Sequence, residues 1–107
     1  MKYCVMCNLR LETPAKSDTL HDNIQVKIGG KKVWGETINS KGIEDKYPTN
    51  TLEIRFDNEA DMDEVYDFIK DKMTKIPVLK GTVSKHYCYH DEVGTNKSCE
   101  PIDSFEK

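Results

Sequence analysis

Alternation of apolar and polar residues predicts β-strands in three stretches of the chain. Residues 2–11 are apolar mainly at the odd-numbered positions, and residues 51–57 are apolar at the even-numbered ones. A further strand is predicted over residues 80–90. Successive side chains of a strand point to opposite faces, so this pattern describes a sheet with one face against a core.

Two further short β-prone runs flank a pair of glycines. Residues 24–28 alternate between apolar and polar side chains, Gly29 and Gly30 follow, and residues 31–38 form the second run. Glycine supplies the positive φ angles of a tight turn, so the sequence predicts a β-hairpin here. The polar stretch at 39–50 then predicts a long loop.

One amphipathic helix is predicted over residues 59–76. Asn58 is a good N-cap, and Asp61 completes a pair that is similar to a capping box. Acidic residues crowd the first turns and lysines the last, which complements the helix dipole, and Pro77 ends the helix. The apolar stripe consists of Met62, Val65, Tyr66, Ile69, Met73 and Ile76.

This order of elements predicts an α+β fold. We expect a mixed or antiparallel sheet of about five short strands with one main helix, 59–76, packed on one face. A ferredoxin-like variant is the leading topology, and a β-grasp-like sheet is the alternative. We expect residues 1–91 to form one domain and residues 92–107 to form a polar, loosely ordered tail. Ile102 and Phe105 of this tail can pack against the domain.

Composition narrows the class of protein. The chain has 107 residues, which suits one domain, with 33% charged and 36% hydrophobic residues and a mean hydropathy of −0.71. Its net charge of −3 argues against nucleic acid, whose binders usually carry a basic surplus. No apolar run reaches the ~18–20 residues that span a bilayer. We therefore expect a cytoplasmic protein with reduced cysteines and no membrane partner.

The cysteines and histidines form a candidate zinc site. A C-x-x-C pair at Cys4 and Cys7 can chelate one Zn²⁺ with two thiolates, but it is only half a site. Antiparallel pairing of the first and last strands would bring the C-terminal candidates close, whereas a regular strand would put Cys4 and Cys7 on opposite faces. The candidate ligands are Cys4, Cys7, Cys88, His90 and Cys99.

No catalytic constellation is recognisable in the sequence. Cys88 with His86 or His90 supplies the residue types for a thiol nucleophile and its base, without a known signature. The carboxylates around 57–64 are explained as helix-capping charge. A small thiol- or His-dependent enzyme is therefore an alternative, and no catalytic residue is assigned.

The favoured function is a small binding or regulatory module that acts through protein contacts. Its size and charge are similar to those of small phage or bacterial inhibitors and adaptors. Acidic residues at Glu44-Asp45 and on the helix would meet a basic protein partner. The chain is expected to be a monomer or a homodimer. The alternative is a zinc-stabilised domain, and otherwise no cofactor is expected.

Overall fold

A computed structural model describes residues 2–31, 33–41, 49–75, 78–89 and 99–107. The elements follow in the order β1 (Lys2–Leu11), α1 (Pro14–Ile28), β2 (Val33–Lys41), β3 (Thr49–Phe56), α2 (Glu59–Lys75), β4 (Val78–Cys88) and β5 (Glu100–Glu106).

The strands form one antiparallel sheet. Its order is β2-β3-β1-β4, and β5 pairs with the outer edge of β4. Antiparallel pairing of β1 with both β3 and β4 places the N-terminal strand at the centre of the sheet. The α+β class is therefore as the sequence predicted, and of the two sheet types left open, mixed or antiparallel, the structure has the antiparallel one.

The predicted hairpin around Gly29-Gly30 is wrong, because its first run belongs to a helix. Leu20, Ile24 and Ile28 are four residues apart and lie together on the buried face of α1, whereas Val26 is 81% exposed. A strand would have put Val26 on the same face as its two isoleucine neighbours. Alternation and helical spacing both place Ile24 and Ile28 on one face, and only packing distinguishes the two patterns.

Local capping explains where α1 begins and ends. The Thr13 hydroxyl accepts a hydrogen bond from the backbone N–H of Lys16 at 3.2 Å, and Pro14 stands in the first turn, where its missing N–H costs nothing. Gly29 donates its N–H to two carbonyls in the preceding turn. Gly30 then turns the chain with a φ of 80°. The described part of the chain thus has two helices, whereas the sequence predicted one main helix.

The core lies between one face of the sheet and the two helices. Apolar side chains of β1, β3 and β4 meet those of α1 and α2 there, and the opposite face of the sheet is not part of this cluster. Neither helix of the described part is long and apolar enough to cross a membrane. The buried cluster contains Val5, Cys7, Leu9, Leu11, Leu20, Ile24, Ile28, Leu52, Ile54, Phe56, Met62, Val65, Tyr66, Ile69, Met73 and Val83.

Helix α2 follows the sequence prediction closely. It spans Glu59–Lys75, and the predicted end at Ile76 and Pro77 lies outside the described residues. Asn58 Oδ1 accepts a hydrogen bond from the backbone N–H of Asp61 at 2.8 Å, while Asn58 Nδ2 donates to the Asp61 carboxylate at 2.9 Å. The predicted cap therefore forms.

Asn58→Ala is expected to lower the free energy of unfolding by about 1 kcal/mol, because it removes the acceptor that caps α2. Urea denaturation followed by circular dichroism measures the change. Asn58→Ser is the matched control, since serine keeps a side-chain oxygen at the cap. Equal stability of the alanine and serine variants would show that the cap contributes nothing.

The segment predicted as a loose tail contributes a strand. Residues 100–106 form β5, and Ile102 and Phe105 pack against the core. The Tyr66 hydroxyl donates to the Asp103 carboxylate at 3.0 Å, which ties β5 to α2. Only a few apolar residues mark this segment in the sequence, so its order comes from pairing with β4.

Candidate functional site

Three of the four cysteines lie near one another on the sheet face opposite the helices. Cys4 of β1 lies directly opposite His86 of β4, and Lys2 lies directly opposite Cys88. Residues directly opposite across strands share a face, so Cys4 and Cys88 are diagonal neighbours. Cys4 is 2% exposed and Cys88 is 1% exposed, although neither belongs to the main core.

Cys99 completes this group, which we call the thiol cluster (Cys4, Cys88 and Cys99). Its Sγ atom lies 3.5 Å from Sγ of Cys88, and neither sulfur is in a disulfide. The register explains the contact, because Tyr87 lies opposite Glu100 and Cys88 and Cys99 are the next residues outward on the two chain segments. Cys99 is partly exposed, whereas Cys88 is buried.

The Cys4 thiol is held in its protonated form. Its pKa is raised to about 12, chiefly by burial and to a smaller extent by the charge of Glu53 and the thiols of Cys88 and Cys99, against an opposing effect of Arg55. A thiol is a good nucleophile only as the thiolate. Cys4 is therefore not an activated nucleophile at neutral pH.

Cys7 lies apart from the thiol cluster. It belongs to the core on the helix-covered face, and burial raises its pKa to about 12, against a backbone hydrogen bond at Leu52. Cys4 and Cys7 thus point to opposite faces of β1, as regular alternation requires. The C-x-x-C spacing does not bring the two thiols together.

His86 stands beside Cys4 on the face without helices. Its Nε2 atom lies 2.7 Å from the Ser84 hydroxyl. Burial lowers the pKa of His86, against a smaller opposing effect of the Glu53 charge. The imidazole is therefore neutral at pH 7, which leaves it able either to donate to or to accept from Ser84.

The candidate zinc ligands are only partly assembled. Cys4, Cys88 and Cys99 come together, Cys7 lies on the other face, and His90 is outside the described residues. Among the residues that the structure does describe, no group of three or more Cys, His, Asp or Glu side chains is placed to hold a metal ion.

A shallow groove runs along the same sheet face beside the thiol cluster. Two adjoining depressions of about 290 and 280 Å³ share Asn8 and Thr82 as lining residues. Met6, at 44% exposure, is one of the two large hydrophobic residues exposed in the described part of the chain. We call this surface the sheet groove. The outward-facing residues that line it are Met6, Asn8, Arg10, Thr51, Glu53, Lys80, Thr82 and Ser84.

One end of the sheet groove is basic. Arg10 and Lys80 lie directly opposite each other on β1 and β4. Their two positive charges give the groove a positive end.

The acidic residues of α2 are largely paired within the chain. Glu64 lies 2.7 Å from Nζ of Lys31 and 2.9 Å from Nζ of Lys27, and these two lysines lower the Glu64 pKa to about 2. Asp63 is 2.8 Å from Nζ of Lys85. Several of the helix acids predicted to meet a basic partner are thus engaged with lysines of the chain, and Glu44-Asp45 lies outside the described residues.

Sequence reasoning did not single out the sheet groove. The signal available was the outward register of β1, where Cys4 and Met6 interrupt the otherwise polar positions. Alternation showed that these residues face away from the core. It could not show that Thr82 and Ser84 lie beside them, because that depends on how β1 and β4 pair.

Comparison with known proteins identifies the fold and no relative. No protein family and no curated protein matches the chain. Solved structures with a similar fold include the de novo designed protein Foldit4, with a TM-score of 0.66 and 13% sequence identity. The match covers 79% of this chain and 96% of the designed chain. At this identity the likeness shows the fold alone.

Proposed function

We propose that the chain is a ferredoxin-like binding module that holds an extended segment of a protein partner in the sheet groove. The observation that carries this proposal is an exposed, flexible apolar side chain, Met6, at the centre of a sheet face whose other lining residues are polar and include Glu53 opposite Met6. The order β-α-β-β-α-β with strands arranged β2-β3-β1-β4 supports the ferredoxin-like assignment.

The chemistry of the groove favours a peptide segment as its ligand. Methionine adapts its shape to apolar partners, and Asn8, Thr82 and Ser84 can donate and accept hydrogen bonds with a peptide backbone. Aromatic platforms that stack bases are not among the groove residues. These features favour protein over nucleic acid, in line with the overall charge of −3.

The basic end of the groove favours acidic residues in the bound segment. The positive charges of Arg10 and Lys80 would attract carboxylates of the bound segment. Such charges act mainly by speeding association. The proposal therefore replaces the basic partner expected from the sequence with an acidic one, and it keeps the expected cytoplasmic location, which rests on the sequence alone.

Selection from a random peptide display library is expected to enrich peptides that combine one apolar residue with Asp or Glu. An enriched peptide titrated into isotope-labelled protein should shift the amide signals of β1 and β4 along the groove. Met6→Gln should weaken its affinity about tenfold, or ~1.4 kcal/mol, by removing the apolar contact. Lys80→Glu should slow association and reduce its dependence on salt.

Val26→Gln provides the matched control. Val26 is the other large exposed hydrophobic residue of the described chain, and it lies on α1. The control should bind the peptide as the wild type does. Signal shifts confined to the helices, or equal losses from Met6→Gln and Val26→Gln, would rule out the sheet groove as the binding site. Enrichment of basic peptides would contradict the proposed charge of the partner.

A further inference from the structure

The thiols of Cys88 and Cys99 occupy positions that suit a cross-strand disulfide. Residue numbers of opposed pairs at this end of β4 and β5 add to a constant, as in His86 with Pro101 and Tyr87 with Glu100, and Cys88 with Cys99 continues the series. Directly opposed residues of antiparallel strands have Cα atoms about 4.5–5.5 Å apart. That separation lies within the range of about 4.4–6.8 Å that disulfides span.

The sulfur atoms already touch. Their separation of 3.5 Å must shrink to about 2.05 Å for a bond, which side-chain rotation at the two cysteines can supply. From these observations we propose that Cys88 and Cys99 form a reversible disulfide when the protein meets an oxidised low-molecular-weight disulfide such as oxidised glutathione. This inference does not depend on the partner proposed for the sheet groove.

The difference in exposure between the two thiols assigns their roles. Cys99 is partly exposed, so its thiolate can attack the small disulfide. This forms a mixed disulfide and releases one small thiol. The buried Cys88 then gives up its proton and attacks the Cys99 sulfur, which releases the second small thiol. One small disulfide is reduced to two thiols, and two protein thiols are oxidised to one disulfide.

The other two cysteines are poorly placed to compete. Cys7 is on the opposite face of the sheet, within the core. Cys4 is near the pair, but its high pKa keeps it protonated, whereas the sulfur atoms of Cys88 and Cys99 are already in contact. The structure therefore distinguishes Cys88–Cys99 from every other pairing of the four cysteines.

The test is oxidation of the reduced, purified protein in a glutathione buffer, with free thiols then blocked by alkylation. Before alkylation, we expect the intact mass of the oxidised protein to be lower by two hydrogen atoms. After denaturation, two of the four thiols should still react with the alkylating reagent. Cleavage after lysine should yield residues 86–97 joined to residues 98–107 through one disulfide. Excess reduced glutathione should reverse the change.

Single substitutions distinguish a Cys88–Cys99 disulfide from other pairings of the four cysteines. Cys99→Ser should abolish the disulfide, and Cys88→Ala should leave Cys99 as a mixed disulfide with glutathione. Cys4→Ala is the matched control and should still form the bond. Because Cys99 is partly exposed, its variant should fold, and circular dichroism checks this.

A second readout is thermal stability. Closing the loop of ten residues between the two cysteines restricts the unfolded chain, so the oxidised protein should melt about 10 °C higher than the reduced one. Cys99→Ser should show no such rise. Peptides linking Cys4 to either partner, or thiols that stay reduced throughout, would overturn the proposal. So would one zinc per chain that protects the three thiols from alkylation.

Discussion

Phe56→Ala is expected to lower the free energy of unfolding by about 3–5 kcal/mol, the cost of removing a large aromatic side chain from a packed core. Phe56 ends β3 and is fully buried. It lies opposite Tyr3 of β1 and Val33 of β2, so it joins three strands at one end of the sheet. Since small domains are stable by only about 5–15 kcal/mol, this variant should be close to unfolding at 37 °C.

Urea denaturation with two optical probes measures the change, and a truncation on the surface provides the control. Val26→Ala removes carbon atoms from a side chain that is 81% exposed, and its effect should stay within about 0.5 kcal/mol. The loss of stability for Phe56→Leu should lie between those for Phe56→Ala and Val26→Ala, because leucine refills most of the cavity that alanine leaves. A loss below about 1 kcal/mol for Phe56→Ala would contradict the position of Phe56 in the core.

Alkaline pH is expected to destabilise the protein steeply. Burial raises the pKa of Cys4 and Cys7 from 9.0 to about 12, and burial together with the bond to Asp103 raises that of Tyr66 from 10.0 to about 12. The folded protein thus binds these three protons more tightly than the unfolded chain does. Their contribution to stability is fully present below pH 9 and is lost as the pH rises towards 12.

The measurement is the free energy of unfolding at a series of pH values from 7 to 12, with reductant present to keep the thiols free. Tyr66→Phe should be less stable at neutral pH, because it loses the hydrogen bond to Asp103. Its stability should nevertheless fall less steeply above pH 10, since one titrating group is gone. An unchanged slope in this variant would show that Tyr66 is not the group that titrates.

Local patterns were enough to predict β1, β3 and α2. Residues 52–56 alternate strictly, and residues 3–11 alternate apart from Cys4 and Met6, which indicates strands. Asn58, the acidic first turn and the basic last turn all agree on one helix start and direction. Where several independent local signals agree, tertiary contacts rarely override them. The α+β class followed from these elements, whereas the choice between a mixed and an antiparallel sheet did not.

Residues 14–28 show where local pattern fails. Ile24 and Ile28 fit both an alternating strand and one face of a helix, and Gly29-Gly30 suits a hairpin turn as well as the end of a helix. The contacts of Leu20, Ile24 and Ile28 with the rest of the core decide for the helix. β5 is a similar case, because its two packed apolar residues indicate a strand only once pairing with β4 is known.

The thiol cluster and the sheet groove depend still more on tertiary structure. The sequence by itself determined that Cys4 and Met6 face away from the core, because strand alternation is a local property. The sequence also determined that Cys4 and Cys7 point apart. That Cys4, Cys88 and Cys99 meet, and that Met6 lies beside Thr82 and Ser84, was decided by the register between β1, β4 and β5. Register is set by how the core faces of all the strands pack at once, and a shift of one residue would turn every side chain to the other face.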